Sequence, residues 1–196
     1  MMPDFDYPEG ATPIGSDETG GLILTHITTR GELDRWEQDN IVEALIWLDK
    51  TIPTDILNEQ FIKELHWRMF ANVWKWAGHF RLSDKNIGGP WYLIPTNLKN
   101  LCDDVCLWIE LKEEPPDEMA IRFHHRLVLI HPFPNGNGRH ARLMTDLLLE
   151  NILNCSRFTW GGENLSRTGD ARQRYISALH AADKYNYEPL RKFVRT

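Results

Sequence analysis

Apolar residues recur every three or four positions through most of this chain, a period that suits helices packed on one another and leaves little room for sheet. The stripe Leu33, Trp36, Ile41, Ala44, Leu45 and Leu48 opens the pattern, and Thr29 with Glu32 has the spacing of a capping box at its start. A second run carries Leu57, Phe61, Leu65, Met69, Val73 and Trp76, with Gly78 placed to end it. Leu98, Leu101, Val105, Trp108 and Ile109 predict a further helix, capped by Thr96 and stopped at Pro115 and Pro116. Another helix is expected from about Asp117 through Met119, Phe123, Leu127 and Ile130, and another through Ala141, Met144, Leu147, Leu148 and Ile152. Tyr175, Ile176, Leu179 and Ala182, then Leu190 and Phe193, close the series.

The period breaks in informative places. Residues 1–27 mix Pro, Gly and acids without periodicity, which predicts an arm with the first helix beginning only after it. Between Phe80 and Pro95, Gly88, Gly89 and Pro90 divide Ile87 from Trp91-Tyr92-Leu93-Ile94, a pattern that suits a short β-hairpin. The expected fold class is therefore all-α, a helical bundle with one small hairpin flap, divided into an arm (1–27) and a single domain (28–196). A length of 196 residues with 42% hydrophobic content is enough for one sizeable core.

Charge and cysteines narrow the setting. With 28 acidic against 22 basic side chains the net charge is −6, so no overall positive field recruits nucleic acid, and any phosphate chemistry must rest on a local site. Three cysteines without CxxC spacing and the lack of a charged-then-apolar leader predict a reduced, cytoplasmic protein. No apolar stretch approaches the ~20 residues that span a bilayer, since even Leu143–Leu153 contains Asp146 and Glu150.

The chemistry concentrates in residues 131–142, HPFPNGNGRHAR, where a new helix starts. Gly136 and Gly138 allow close backbone approach to a ligand, and free N–H groups at a helix N-terminus attract phosphate. Arg139 and Arg142, three apart on a helix, are placed to fork onto successive phosphate oxygens. His131 is the one group of the loop that can accept a proton near neutral pH. The loop has no Ser, Thr or Cys nucleophile and no GK[ST] ending, which points to direct transfer onto an external hydroxyl. His124 and His125 lack HExxH spacing and would point about 100° apart on a helix, a poor start for a zinc site.

This segment resembles the Fic motif HxFx[DE]GNGRxxR at every specified position except Asn135. The resemblance implies a protein adenylyltransferase that moves AMP from ATP to a Ser, Thr or Tyr hydroxyl of a target protein, with His131 as base. It implies that Phe133 anchors the loop, that the backbone at Gly136, Asn137 and Gly138 cradles phosphates, and that Arg139 and Arg142 hold the outer phosphates. Asn135 stands where such proteins carry an acid that binds Mg²⁺; its amide oxygen is either a weakened metal ligand or a loop fastener. The stretch 76–95 is similar to the family's flap, which implies a target clamp from Asp84 to Pro95 including Lys85, Asn86, Ile87, Gly88, Trp91 and Tyr92. Relatives that transfer phosphate or phosphocholine alter the glycine matching Gly136, which this chain keeps. Many relatives are restrained by a helix of pattern [ST]xxxE[GN], and Thr28 with Glu32 has that spacing although Leu33 departs from it; Glu32 is thus either an inhibitor or a capping-box acid. Residues 11–40 look most like the mobile mystery protein B subgroup, which leaves room for an antitoxin or regulator as partner and for a weakly active component.

Overall fold

The computed structural model describes residues 15–112, 114–162, 165 and 169–196; the first fourteen residues of the arm lie outside them. Helix follows helix: α1 (Ser16–Thr19), α2 (Arg30–Thr51), α3 (Glu59–Phe70), α4 (Ile94–Leu111), α5 (Pro116–Ile130), α6 (Asn137–Leu147), α7 (Asp170–Ala182) and α8 (Glu188–Val194). The described arm is not without helix, because the single turn α1 precedes α2. A lone antiparallel bridge, Leu22 to Trp74, then ties the arm to the body.

Helix α2 starts as its capping box dictates: the Thr29 hydroxyl accepts the Glu32 N–H, and the Glu32 carboxylate accepts the Thr29 N–H. Its buried face is Leu33, Glu37, Asn40, Ile41, Ala44 and Leu48. Trp36 and Leu45, expected inside, are 43% and 39% exposed. Two polar residues take the inward positions because each finds partners there. Asn40 donates to the Arg68 carbonyl (2.9 Å) and accepts the Asn72 N–H (2.9 Å). Those are backbone groups at the end of α3, so Asn40 satisfies the orphan atoms of that terminus. Accordingly α3 ends at Phe70 and does not continue to Trp76 as its periodicity suggested; a series of turns follows.

The expected hairpin between Phe80 and Pro95 is not formed: among the described residues this segment contains no strand. Its carbonyls are gathered by the Arg81 guanidinium, which binds those of Ser83 and Gly89 in place of a cross-strand ladder. A 3₁₀ turn, Trp91–Leu93, leads into α4, which begins at Ile94 with Pro95 in its first turn. Thr96 therefore lies inside the helix and does not cap it. Pro at that position lacks an N–H that the first turn could not use anyway.

The buried side chains form two clusters. The larger runs through α2, α3, α4, α6 and one side of α5, where Phe123 and Leu127 belong to it. The smaller gathers α7, α8, Phe158 and Trp160 against Ala120 and Ile121 on the other side of α5. Helix α5 is thus shared by both, and the motif loop leaves its C-terminal end to reach α6, which runs on through a π-helical turn, Leu148–Ile152.

Candidate active site

The loop between α5 and α6 is fastened from within. His131 ends α5 in the left-handed region (φ 53°), a conformation L-residues adopt at some cost. Asn137 closes the turn by accepting the Phe133 N–H (2.9 Å) and donating to the Phe133 carbonyl (2.8 Å). Its side chain is spent on the loop, so what it offers a ligand is its backbone in the first turn of α6. Phe133 is fully buried and stacks on His66, ring centroids 3.7 Å apart. The Gly78 N–H donates to His66 Nδ1 (3.0 Å), so the ring proton sits on Nε2, which donates to the Asn135 carbonyl (3.0 Å). Gly136 has φ 79°, and a Cβ there would meet the Phe70 ring at 2.7 Å and His66 Nε2 at 3.3 Å. Only glycine fits this turn without displacing core rings.

His131 is 5% exposed but lines a cavity of about 380 Å³. Its Nδ1 lies 3.4 Å from the Val128 carbonyl, an acceptor only, so Nδ1 carries the proton and Nε2 the basic lone pair. Burial first, then the charges of Arg81 and Lys85, push its pKa down to about 4. The imidazole is therefore neutral at pH 7, as a base must be. The N-terminus of α6, with Gly136, Asn137 and Gly138, lines the same cavity. His131 and the N-terminus of α6 thus share one space.

The two motif arginines line that cavity too, but they do not form a fork here. Arg139 pairs with Glu37 Oε2 of α2 at 2.7 Å, and its guanidinium sits over the Phe70 ring. Glu37 is 1% exposed, and its other oxygen accepts from Trp74 Nε1 (2.7 Å). Arg142 lies instead over the Tyr175 ring of α7, 5.7 Å from its centroid. Asn135 Oδ1 accepts the Gly136 N–H at 2.7 Å, so the fastener role is present. Among the described residues no group of three or more His, Cys, Asp or Glu side chains is placed to hold a metal. Glu32 is exposed and accepts from the Thr28 and Thr29 backbones and the Thr29 hydroxyl; the acid that touches the motif is Glu37.

The flap divides. Asn86 and Ile87 line the cavity beside His131, and Gly88 packs against the His131 Cβ. Lys85 turns away to pair with Glu18 of α1. Trp91, held by its N–H to Asp84 Oδ1 (2.9 Å), and Tyr92 lie outside the cavity lining, 40% and 64% exposed. Sequence reasoning missed Glu37 and the cavity's far walls: Arg30 and Asp34 of α2, and Arg172, Tyr175, Ile176, Leu179 and His180 of α7, with Asp183 just beyond. On α7 a signal existed, since these positions share one helical stripe of mixed polarity. His124 and His125 point apart, to the Tyr175 hydroxyl (2.8 Å) and to Asp183 (2.8 Å).

Residues 56–149 match the Fic/DOC family model. The chain is 31% identical over 139 residues to protein adenylyltransferase fic-1 of Caenorhabditis elegans, covering 68% of this chain and 25% of that protein. It thus spans about a quarter of that relative's length. Its fold is similar to the N-terminal Fic domain of Bep8 from Bartonella sp. 1-1C (TM-score 0.69, 18% identity, 99% of this chain and 94% of that one). It is similar as well to BepC of Bartonella tribocorum, solved with bound AMPPNP (TM-score 0.66, 20% identity, 96% and 93% covered).

Proposed function

From the chain's membership of the Fic/DOC family, matched over residues 56–149, we propose that it transfers AMP from ATP to a Ser, Thr or Tyr hydroxyl of a target protein. One observation carries this reading: a neutral, buried imidazole and the N-terminus of α6 face the same cavity. His131 Nε2 takes the proton of the acceptor hydroxyl, whose oxygen forms a bond to the α-phosphorus. The bond from that phosphorus to the bridging oxygen breaks, and pyrophosphate leaves. The backbone N–H groups of α6 and the guanidinium of Arg142 meet the phosphate charge. Arg139 joins them on release from Glu37. General-base help from His131 supplies roughly 10²- to 10⁴-fold, and the electrostatic groups supply more. The flap from Asp84 to Pro95 presents Trp91 and Tyr92 to the target.

The donor set fits a magnesium ion that arrives on the nucleotide, because Mg²⁺ keeps several waters and takes few protein ligands. Asn135 Oδ1 would be its protein contact, and the bound ion would spread the phosphate charge. As a neutral oxygen already accepting from Gly136, Asn135 holds that ion less firmly than an acid would.

The Glu37–Arg139 pair supports a restrained enzyme, whose rate is raised by whatever separates the two. The decisive test uses purified protein with a lysate as acceptor and ATP labelled at the α- or the γ-phosphate. AMP transfer labels proteins from α-labelled ATP alone, and His131→Ala abolishes it. Label from the γ-phosphate would replace this reading with phosphoryl transfer, and identical labelling by His131→Ala would remove it. Competition by GTP and UTP reads the base preference.

A further inference from the structure

Arg81 is a fully buried guanidinium whose nearest carboxylate, that of Asp84, lies 3.6 Å away on a side chain 67% exposed. A buried cation persists only when its donors are satisfied, and here backbone carbonyls take them. Nε donates to the His131 carbonyl at 2.7 Å, and Nη2 to the Gly89 carbonyl at 2.6 Å with a longer contact to that of Ile130 at 3.4 Å. Nη1 donates to the Ser83 carbonyl at 2.8 Å, and the Arg81 backbone N–H to the Pro132 carbonyl at 2.9 Å.

These acceptors come from two places. Ile130 and His131 are the C-terminal end of α5, where unsatisfied carbonyls and the negative pole of the helix favour a cation. Ser83 immediately precedes the flap from Asp84 to Pro95, and Gly89 lies within it. A planar fork spans both sets, which the point charge of a lysine does not. Gly88 supplies a second, independent contact between the same parts. With φ 101° it brings its backbone so close that a Cβ would lie 2.9 Å from the His131 Cβ and 2.8 Å from Arg81 Nη2.

We infer that Arg81 is a positioning residue: it clasps the flap to the backbone of His131, so that the seat of the acceptor and the aim of the base are set together. It does not line the cavity, and acts through His131 and the flap. The clasp is a property of the fold, whereas its effect on rate rests on the adenylyl-transfer reading.

Two variants test it with the charges around His131 kept. Arg81→Lys removes the fork, and Gly88→Ala pushes the exposed flap away from His131. The direct measurement is the imidazole NMR signal of His131, identified by its loss in His131→Ala. Both variants are expected to shift that signal and to move its titration midpoint up from about 4 toward the ordinary histidine range. In the labelling assay both should lower kcat by about 10²-fold, the scale of a small misplacement of a catalytic group, with ATP affinity unchanged. An unmoved His131 signal in Gly88→Ala would overturn the clasp, and that arm decides alone where Arg81→Lys does not fold. Loss of ATP affinity in step with kcat would reduce Arg81 to a general structural residue. A wild-type protein that labels nothing would end the transfer reading, while the NMR arm still decides the clasp.

Discussion

The two halves of the motif are held in different ways. From His131 to Asn137 the turn is fastened through its backbone groups: Asn137 on the Phe133 N–H and carbonyl, Asn135 on the Gly136 N–H, and two side chains from outside the loop, Arg81 and His66, on the His131 and Asn135 carbonyls. From Arg139 to Arg142 the charges are held by side chains of distant helices, Glu37 of α2 and Tyr175 of α7. Groups fixed by backbone hydrogen bonds are pre-organised and stay in place through a reaction. A cation held by one carboxylate can exchange that partner for phosphate. The first half is therefore built as a rigid cradle around His131, and the second as a pair of charges whose partners can be exchanged.

The sharpest way to break this contrast is Gly136→Ala. The new methyl would strike the Phe70 ring at a backbone conformation that alanine rarely adopts. Labelling should fall about 10²-fold as the cradle shifts, and the melting temperature should drop by an amount matching ~1–3 kcal/mol of strain. Near-normal labelling would show that the first half is not rigid.

The second half predicts a gain. Glu37→Gln keeps an oxygen for Trp74 Nε1 while releasing Arg139, so ATP affinity by titration should rise about tenfold, or ~1.4 kcal/mol. Glu32→Gln, confined to the capping box, should leave affinity unchanged; the opposite pattern would return the restraint to Glu32. Asn135→Asp keeps the contact to the Gly136 N–H and adds charge, so the magnesium concentration for half-maximal labelling should fall by roughly severalfold.

The smallest effect is expected from moderate acid. His131 titrates near 4, so labelling should be nearly flat from pH 7 to 5.5 and decline around 4. An acid limb near 6.5 would mean that the base is not buried as described. Stability has the same sign. His124 and His140, pushed down to about 3, and His131 are neutral in the fold and protonate first in the unfolded chain. Their contribution is present above about pH 6.5 and is lost as pH falls toward 4 and 3. Asp146, raised to about 6 by burial, acts in the opposite direction as its proton is taken up, and softens the loss.

Much of this was legible in the residue order because it is local. Helical spacing placed seven of the helices, the Thr29–Glu32 box set the start of α2, and the run from His131 to Arg142 marked a candidate site whose residues line one cavity. What failed depended on partners far along the chain. Trp36 and Leu45 point outward because Asn40 and Glu37 have partners at Arg68, Asn72 and Trp74. The hairpin did not form because Arg81 takes the flap carbonyls that a ladder would need.

The sequence by itself determined the helical class, the histidine and the glycine turn, since period, capping and positive φ are properties of a few neighbouring residues. Only the tertiary structure decided which acid meets Arg139, which tautomer His66 holds and how the flap is fastened to His131. Those outcomes depend on a buried charge or polar atom finding a partner tens of residues away, and burial is what makes each such partner matter.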